Sequence, residues 1–282
     1  MNNLERHMIT KLFSRQCLQT LAEKDGNRRI QELISNHVPE PTNTLWDAFE
    51  CVYYKLLAEY RNEYVYKNAI AEKIVKGRHK MANVAYFTEF RVRKTIADCV
   101  VVNGSSTAYE IKTEFDSFYR LHNQLESYKQ VFEKVNIVVP ESKVEKLKRE
   151  VGKSVGIVVL TDRYTLVPVQ KSDIYTDYMQ HEVVFDCLNK KEIFDVVLTH
   201  FGELPQAKPA FLRNECKKMF KSLPKEVVSL EFKKALKQRK SLATHKSALL
   251  KFPNSLLSLM CTSNFSEQNY GIMLHNLNRQ CL

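Results

Sequence analysis

Ala97-Asp98-Cys99-Val100-Val101-Val102, Asn103-Gly104-Ser105-Ser106 and Thr107-Ala108-Tyr109-Glu110-Ile111-Lys112 follow one another without a break. The flanking runs are rich in β-branched residues and the middle four are turn formers, so the segment reads as a β-hairpin. Side chains alternate across a strand, which puts Glu110 and Lys112 on one face and Tyr109 and Ile111 on the other. Asp98 is a single acid at the start of a run that otherwise reads as buried strand, and an uncompensated buried carboxylate is costly. A divalent cation held by Asp98, Glu110 and the carbonyl of Ile111 would compensate it. Mg²⁺ prefers such oxygen ligands, with water completing its shell. The geometry makes one demand. Directly paired residues of an antiparallel hairpin share a face, so Asp98 faces Glu110 only if paired numbers sum to an even value, as Val102 with Ser106 would. The loop must then hold an odd number of residues, or the hairpin must carry a bulge.

Working outward, Ala85–Val92 reads as a further strand before the hairpin. From Asp116 to about Glu133 the period becomes helical, with Phe118, Leu121, Leu125, Tyr128 and Phe132 on one side and Asp116 or Ser117 as N-cap. Val135–Val139 is a short buried strand stopped by Pro140. A charged helix is expected over 141–150, and strands over Val155–Leu160 and Tyr164–Val169. Residues 1–38 read as helical around a turn at Asp25-Gly26-Asn27, Val38–Asn43 breaks the pattern, and Thr44–Val75 is a helical stretch interrupted near Arg61-Asn62, with Gly77 as a stop. After about Ser172 the chain reads as helical, with breaks at Gly202–Pro209, Pro224 and Pro253. The order of elements describes an α/β protein with a central mixed sheet flanked by helices. Its expected divisions are a helical N-terminal extension over 1–43, a core over 44–172 and a mostly helical, basic region over 173–282.

Composition narrows the function classes. Hydrophobic residues make up 44% and charged residues 27% of the 282 positions, and no stretch approaches the ~20 apolar residues of a membrane helix. No secretory signal is visible at the N-terminus, so a cytoplasmic location is expected. The seven cysteines are scattered without a CxxC pair and the histidines without HExxH, which argues against a disulfide framework or a zinc site. Gly152-Lys153-Ser154 lacks the glycine a phosphate loop requires five residues earlier, where Leu147 stands. The net charge of +11 is concentrated: between Lys208 and Lys251 thirteen Lys/Arg face three Glu, 13 − 3 = +10. Lys217, Lys218, Lys233, Lys234 and Lys237 are the candidate contacts to a phosphate backbone, a solvated helical face being the other reading. The tyrosines at 53, 54, 60, 64 and 66 suit either base stacking or helix packing. His79 and His122 flank the expected site.

Asp98, followed after a short interval by Glu110-Ile111-Lys112, resembles the signature of the PD-(D/E)XK nuclease superfamily, with Ala97 where the name-giving proline would stand. Gln124-Leu-Glu-Ser-Tyr128 resembles the Q-x-x-x-Y motif of its RecB-like, Holliday-junction-resolvase-like branch. The string from Ala97-Asp98 to Tyr128 is also similar to small bacterial and phage-associated nuclease-like proteins, over about residues 60–160. The resemblance implies a metal-dependent deoxyribonuclease using Mg²⁺ or Mn²⁺, with DNA as partner and a role in defence against foreign DNA or in repair. Asp98 and Glu110 would hold metal, Lys112 would orient the attacking water or stabilise developing charge, and Gln124 and Tyr128 would position substrate. A further acid would come from Glu63, or from Glu72 or Glu89. A catalytically inactive nuclease fold that binds nucleic acid or a partner protein is the alternative. A homo-oligomer is compatible with either.

Overall fold

The computed structural model describes residues 3–34, 42–78, 84–240 and 246–280. The chain divides into two compact units, Met1–Ala82 with Leu160–Leu166 and Leu242–Leu282, and Asn83–Val159 with Val167–Ser241. The expected segments 1–43, 44–172 and 173–282 cut across this division. The helix starting at Leu45 buries Leu45, Phe49, Val52 and Leu56 among other helices and so belongs with the first unit.

The first unit is helical. It contains α1 (Asn3–Leu12), α2 (Arg15–Leu21), α3 (Gly26–Ile34), α4 (Leu45–Glu59), α5 (Glu63–Ile70), a π-helical stretch (Ala71–Arg78), α12 (Lys246–Leu249), α13 (Leu257–Thr262) and α14 (Glu267–Asn278). Thr44 and Asp47 form a capping box on α4, and Asn62 caps α5, which explains the interruption near Arg61. The π-helical stretch runs past Gly77, so that glycine is not the stop it was expected to be. Phe13 stacks on Tyr64 with ring centroids 4.9 Å apart and meets Phe49 and Tyr53 edge-on. Tyr53, Tyr64 and Tyr66 are thus packing residues, while Tyr54 is exposed. Asn68 is fully buried and satisfied: its amide nitrogen donates to the Tyr53 hydroxyl (3.1 Å) and the Asn254 carbonyl (2.9 Å), and its oxygen accepts from the Ser258 amide (2.9 Å).

The second unit is built on a six-stranded sheet in sequential order: β1 (Ala85–Val92), β2 (Thr95–Val102), β3 (Ser106–Ile111), β4 (Lys134–Val139), β5 (Gly156–Leu160) and β6 (Leu166–Gln170). β1, β2 and β3 pair antiparallel, and β3, β4 and β5 pair parallel. The fold is therefore α/β with a mixed sheet. α6 (Leu121–Lys129) connects β3 to β4 and α7 (Val144–Glu150) connects β4 to β5, the crossovers that parallel pairing requires. Pro168 sits in β6, an edge strand, where its missing N–H costs no ladder bond. α8 (His181–Cys187), α9 (Lys190–Phe201), α10 (Pro209–Lys221) and α11 (Lys225–Arg239) complete the unit. Phe90, Phe132 and Phe232 join strand β1, the end of the α6 segment and α11 in one aromatic cluster.

α6 begins at Leu121, not near Asp116, and neither Asp116 nor Ser117 caps it. Asp116 turns back instead. Its Oδ2 accepts from the Thr113 amide (2.8 Å) and hydroxyl (2.6 Å), closing a tight turn ahead of the helix.

Gly26 opens α3 where the chain passes against α2. A Cβ there would meet the Thr20 carbonyl oxygen at 1.9 Å and its carbon at 2.8 Å, both main-chain atoms that yield only by moving the helix. Gly26→Ala is expected to destabilise the helical unit by about 1–3 kcal/mol, read as a lower midpoint in thermal or urea unfolding.

Candidate active site

The β2–β3 ladder pairs Cys99 with Tyr109, Val100 with Ala108, Val101 with Thr107 and Val102 with Ser106. Every pair sums to 208, and the loop holds three residues, Asn103 to Ser105, closed by the Ser105 amide on Asn103 Oδ1 at 3.0 Å. Extended by one step, the register sets Asp98 opposite Glu110 on one face, meeting the demand read from the sequence. Asp98 Oδ2 accepts from the Ile111 amide at 2.6 Å.

Four of the sequence-expected residues form one hydrogen-bonded cluster around Glu110, a carboxylate only 1% exposed. Its Oε1 accepts from Lys112 Nζ (2.7 Å) and Gln124 Nε2 (2.5 Å), and Gln124 Oε1 also accepts from Lys112 (3.1 Å). Gln124 and Tyr128 lie one helical turn apart on α6, so both reach the same carboxylate. Tyr128 OH is 2.8 Å from Glu110 Oε2 and 2.6 Å from the Ile96 carbonyl. A phenol has one proton to give. A proton on Glu110 satisfies both contacts, since Glu110 then donates to Tyr128 and Tyr128 donates to Ile96. Burial raises the Glu110 pKa above its usual 4.5, against the opposing pull of Lys112, Tyr128 and Gln124. Burial also pushes the Tyr128 phenol up, reinforced by the charges of Glu110 and Asp98, so both acids stand near its hydroxyl.

The possible donors to a cation here are all oxygens, which suits a hard divalent ion. Among the described residues no group of three or more His, Cys, Asp or Glu side chains could hold a metal. A cation would therefore rest on Asp98, Glu110 and the Ile111 carbonyl, with water filling the remaining positions as Mg²⁺ commonly allows. Lys112 and Gln124 would have to release Glu110 Oε1 for that oxygen to ligate.

The third acid divides by unit. Glu63 and Glu72 belong to the helical unit, each 2.6 Å from a lysine, Lys67 and Lys73 respectively. Glu89 is the contender on the sheet: exposed, with φ of 56°, it stands on β1 between Thr88, opposite Cys99, and Phe90, opposite Ala97. That is the register position facing Asp98. His122 is exposed on α6, and His79 lies outside the described residues.

The candidate phosphate contacts are mostly engaged within the protein. Lys217 reaches Asp186 (3.4 Å), Lys218 Glu215 (2.7 Å) and Lys234 Glu231 (2.7 Å). Lys237 stands one turn beyond Lys233 on α11, half-buried. Lys233 itself has a structural role: it pairs at 2.7 Å with Glu133, whose carboxylate also accepts from Ser229 Oγ (2.8 Å) and the Ser106 amide (2.8 Å). Sequence reading missed this buried cluster, whose partners are far apart in the chain. It also missed Lys143, whose amine donates to the Thr113 carbonyl at 2.6 Å and to the Asp116 carbonyl, pinning the segment that follows Lys112. In a charged helix, no sequence signal distinguished that lysine from its neighbours.

Two comparisons place the chain. The family described as bacteriophage P4 protein cII matches residues 57–252, well over half of the sequence and all of the cluster above. The chain belongs to that family. A curated relative, protein cII of Enterobacteria phage P4, is 44% identical over 62 residues, covering 22% of this chain and 24% of the relative. The alignment thus spans about a quarter of that protein. A solved structure, the SPO1766 protein of unknown function from Silicibacter pomeroyi, covers 38% of this chain and 68% of its own, with 14% identity and a TM-score of 0.31. No helix among the described residues of this cII-family chain is long and apolar enough to cross a membrane.

Two outcomes follow from the buried charges. Lys233→Ala leaves Glu133 buried without its cation and should cost about 3–5 kcal/mol in chemical unfolding, whereas Lys218→Ala, on an exposed pair, should cost under about 1 kcal/mol. For Glu110 the proton favours the folded state. Its contribution is complete below 4.5 and is lost as pH rises through the raised folded value. The double variant Glu110→Gln with Lys112→Met should lack that loss and be equal to or up to about 4 kcal/mol more stable than wild type at neutral pH, the gap closing on acidification in urea titrations with chelator present.

Proposed function

We propose that the sheet unit is a metal-dependent nuclease that hydrolyses phosphodiester bonds of DNA, built on a PD-(D/E)XK-like core. The observation that carries this reading is the joining of Asp98, Glu110, Lys112, Gln124 and Tyr128 across two paired strands and the following helix. Those five residues were selected by motif alone. A structural ion pair would need only two of them.

Asp98 and Glu110 offer the carboxylates for Mg²⁺ or Mn²⁺, which when bound would supply water activation and charge neutralisation at the scissile phosphate. Lys112, a fixed cation beside Glu110, is placed to donate to a phosphate oxygen as negative charge grows there. Gln124 offers an amide that can turn from Glu110 to substrate, and Tyr128 anchors Glu110 from beneath. Hydrolysis at phosphorus asks little covalent chemistry of protein groups, which suits a cluster without a nucleophilic Ser or Cys. Lysines of α10 and α11 would add attraction for the backbone.

A second reading draws on one specific feature. Both oxygens of Glu110 are engaged by its neighbours, as befits an inactive nuclease fold that binds DNA or a protein partner with the cluster serving as internal support.

Cleavage assays on linear, circular and single-stranded DNA separate the two. The nuclease should cut only with Mg²⁺ or Mn²⁺, and Asp98→Ala or Lys112→Ala should reduce cutting by at least about 100-fold, the scale of losing one transition-state donor, with little change in binding. DNA binding without cutting under every metal condition would favour the second reading. Charge reversal at Lys217, Lys218, Lys234 and Lys237 should weaken binding and flatten its salt dependence.

A further inference from the structure

The segment between Lys112 and α6 joins two members of the cluster, since it leaves from Lys112 and returns through Arg120, whose carbonyl accepts from the Gln124 amide at 3.2 Å. It is rigidly held. Asp116 accepts from Thr113 twice, the Asp116 amide returns to the Thr113 carbonyl (3.2 Å), Lys143 donates to two of its carbonyls, and Lys143 and Lys146 lie over the Phe118 ring at 5.6 and 5.7 Å. Phe118 packs against the core. Yet this fixed turn holds two other aromatic rings in solvent: Phe115 is 62% and Tyr119 93% exposed. Three steps of ~3.8 Å put the Phe115 Cα within about 11 Å of that of Lys112.

We propose that Phe115 and Tyr119 form a stacking platform for unpaired bases, so that the DNA taken by the adjacent cluster is single-stranded or locally unpaired. This rests on the nuclease reading. An exposed aromatic patch on rigid backbone marks a binding surface, because ordering entropy is already spent and the rings have no partner within the fold. Bases are the occupant that fits the surroundings. Every base has a π-face for such rings, and cationic side chains alongside track the backbone. Arg120, Lys143 and Lys146 supply those cations, against Glu114 and Asp116 on the same turn, whose Asp116 carboxylate is already turned inward to Thr113. Duplex DNA, with its bases stacked on each other, offers the rings nothing comparable.

The test measures binding of a fluorescein-labelled single strand and its duplex by the full chain in EDTA, where no cutting occurs. Wild type should prefer the single strand, and Phe115→Ala with Tyr119→Ala should weaken that binding roughly tenfold or more without altering duplex binding or the circular dichroism spectrum. Tyr119→Trp should retain affinity, its added indole emission being quenched by the oligonucleotide. Unchanged single-strand affinity in the double alanine variant overturns the proposal and is what a protein-docking patch would give. Equal affinity of wild type for duplex and single strand also overturns it. Cleavage with Mn²⁺ is scored separately. Strong, aromatic-dependent single-strand binding with no cutting would remove the nuclease reading alone, whereas cutting unaffected by loss of both rings would remove the platform alone.

Discussion

One hydrogen-bond register carries the site. With Val102 opposite Ser106 across a three-residue loop, Asp98 and Glu110 come to the same face of adjacent strands. A slip of one residue would send the whole of one strand's side chains to the other face, burying Lys112 where Ile111 now lies and leaving Asp98 without a companion. The apolar residues of the same two strands hold the register, because Val100, Val102 and Ala108 belong to the core that Leu125, Tyr128 and Phe132 complete. The site and the core are thus specified together.

The unit tolerates buried carboxylates by giving each its own cation. Glu110 has Lys112, Glu133 has Lys233 and Glu192 has Arg239. The surroundings differ in a telling way. Glu133 and Glu192 each brace elements distant in sequence, β3 to α11 and α9 to the end of α11. The Glu110 group instead gathers around two consecutive strands and the next helix, with three polar side chains where one would satisfy the charge. Packing alone does not require so much polar capacity, and sites that hold more of it than the fold needs are the usual places for chemistry.

Much of this was legible in the chain. Alternation and the Asn103-Gly104 turn located the hairpin, and the i, i+4 spacing of Gln124 and Tyr128 placed both on one helical face. The parity rule then limited the register to those that bring the acids together. What failed was what depends on distant partners. Asp116 looks like a helix cap, but Thr113 and Lys143 hold it in a turn. The lysines of the basic region look like a free cationic surface, yet Lys217 and Lys233 meet Asp186 and Glu133, acids supplied from elsewhere in the unit. Nor could periodicity show that residues 160–166, between two strands, group with the N-terminal and C-terminal helices.

The account stands on the two acids acting jointly on a divalent ion. Mn²⁺ titrated into the full chain and followed by the loss of its free-ion paramagnetic resonance signal measures this without reference to any substrate. Stoichiometric binding that disappears in Asp98→Asn and in Glu110→Gln alike is the expected result. Absence of Mn²⁺ binding by the wild-type chain, or binding indifferent to both substitutions, would contradict it.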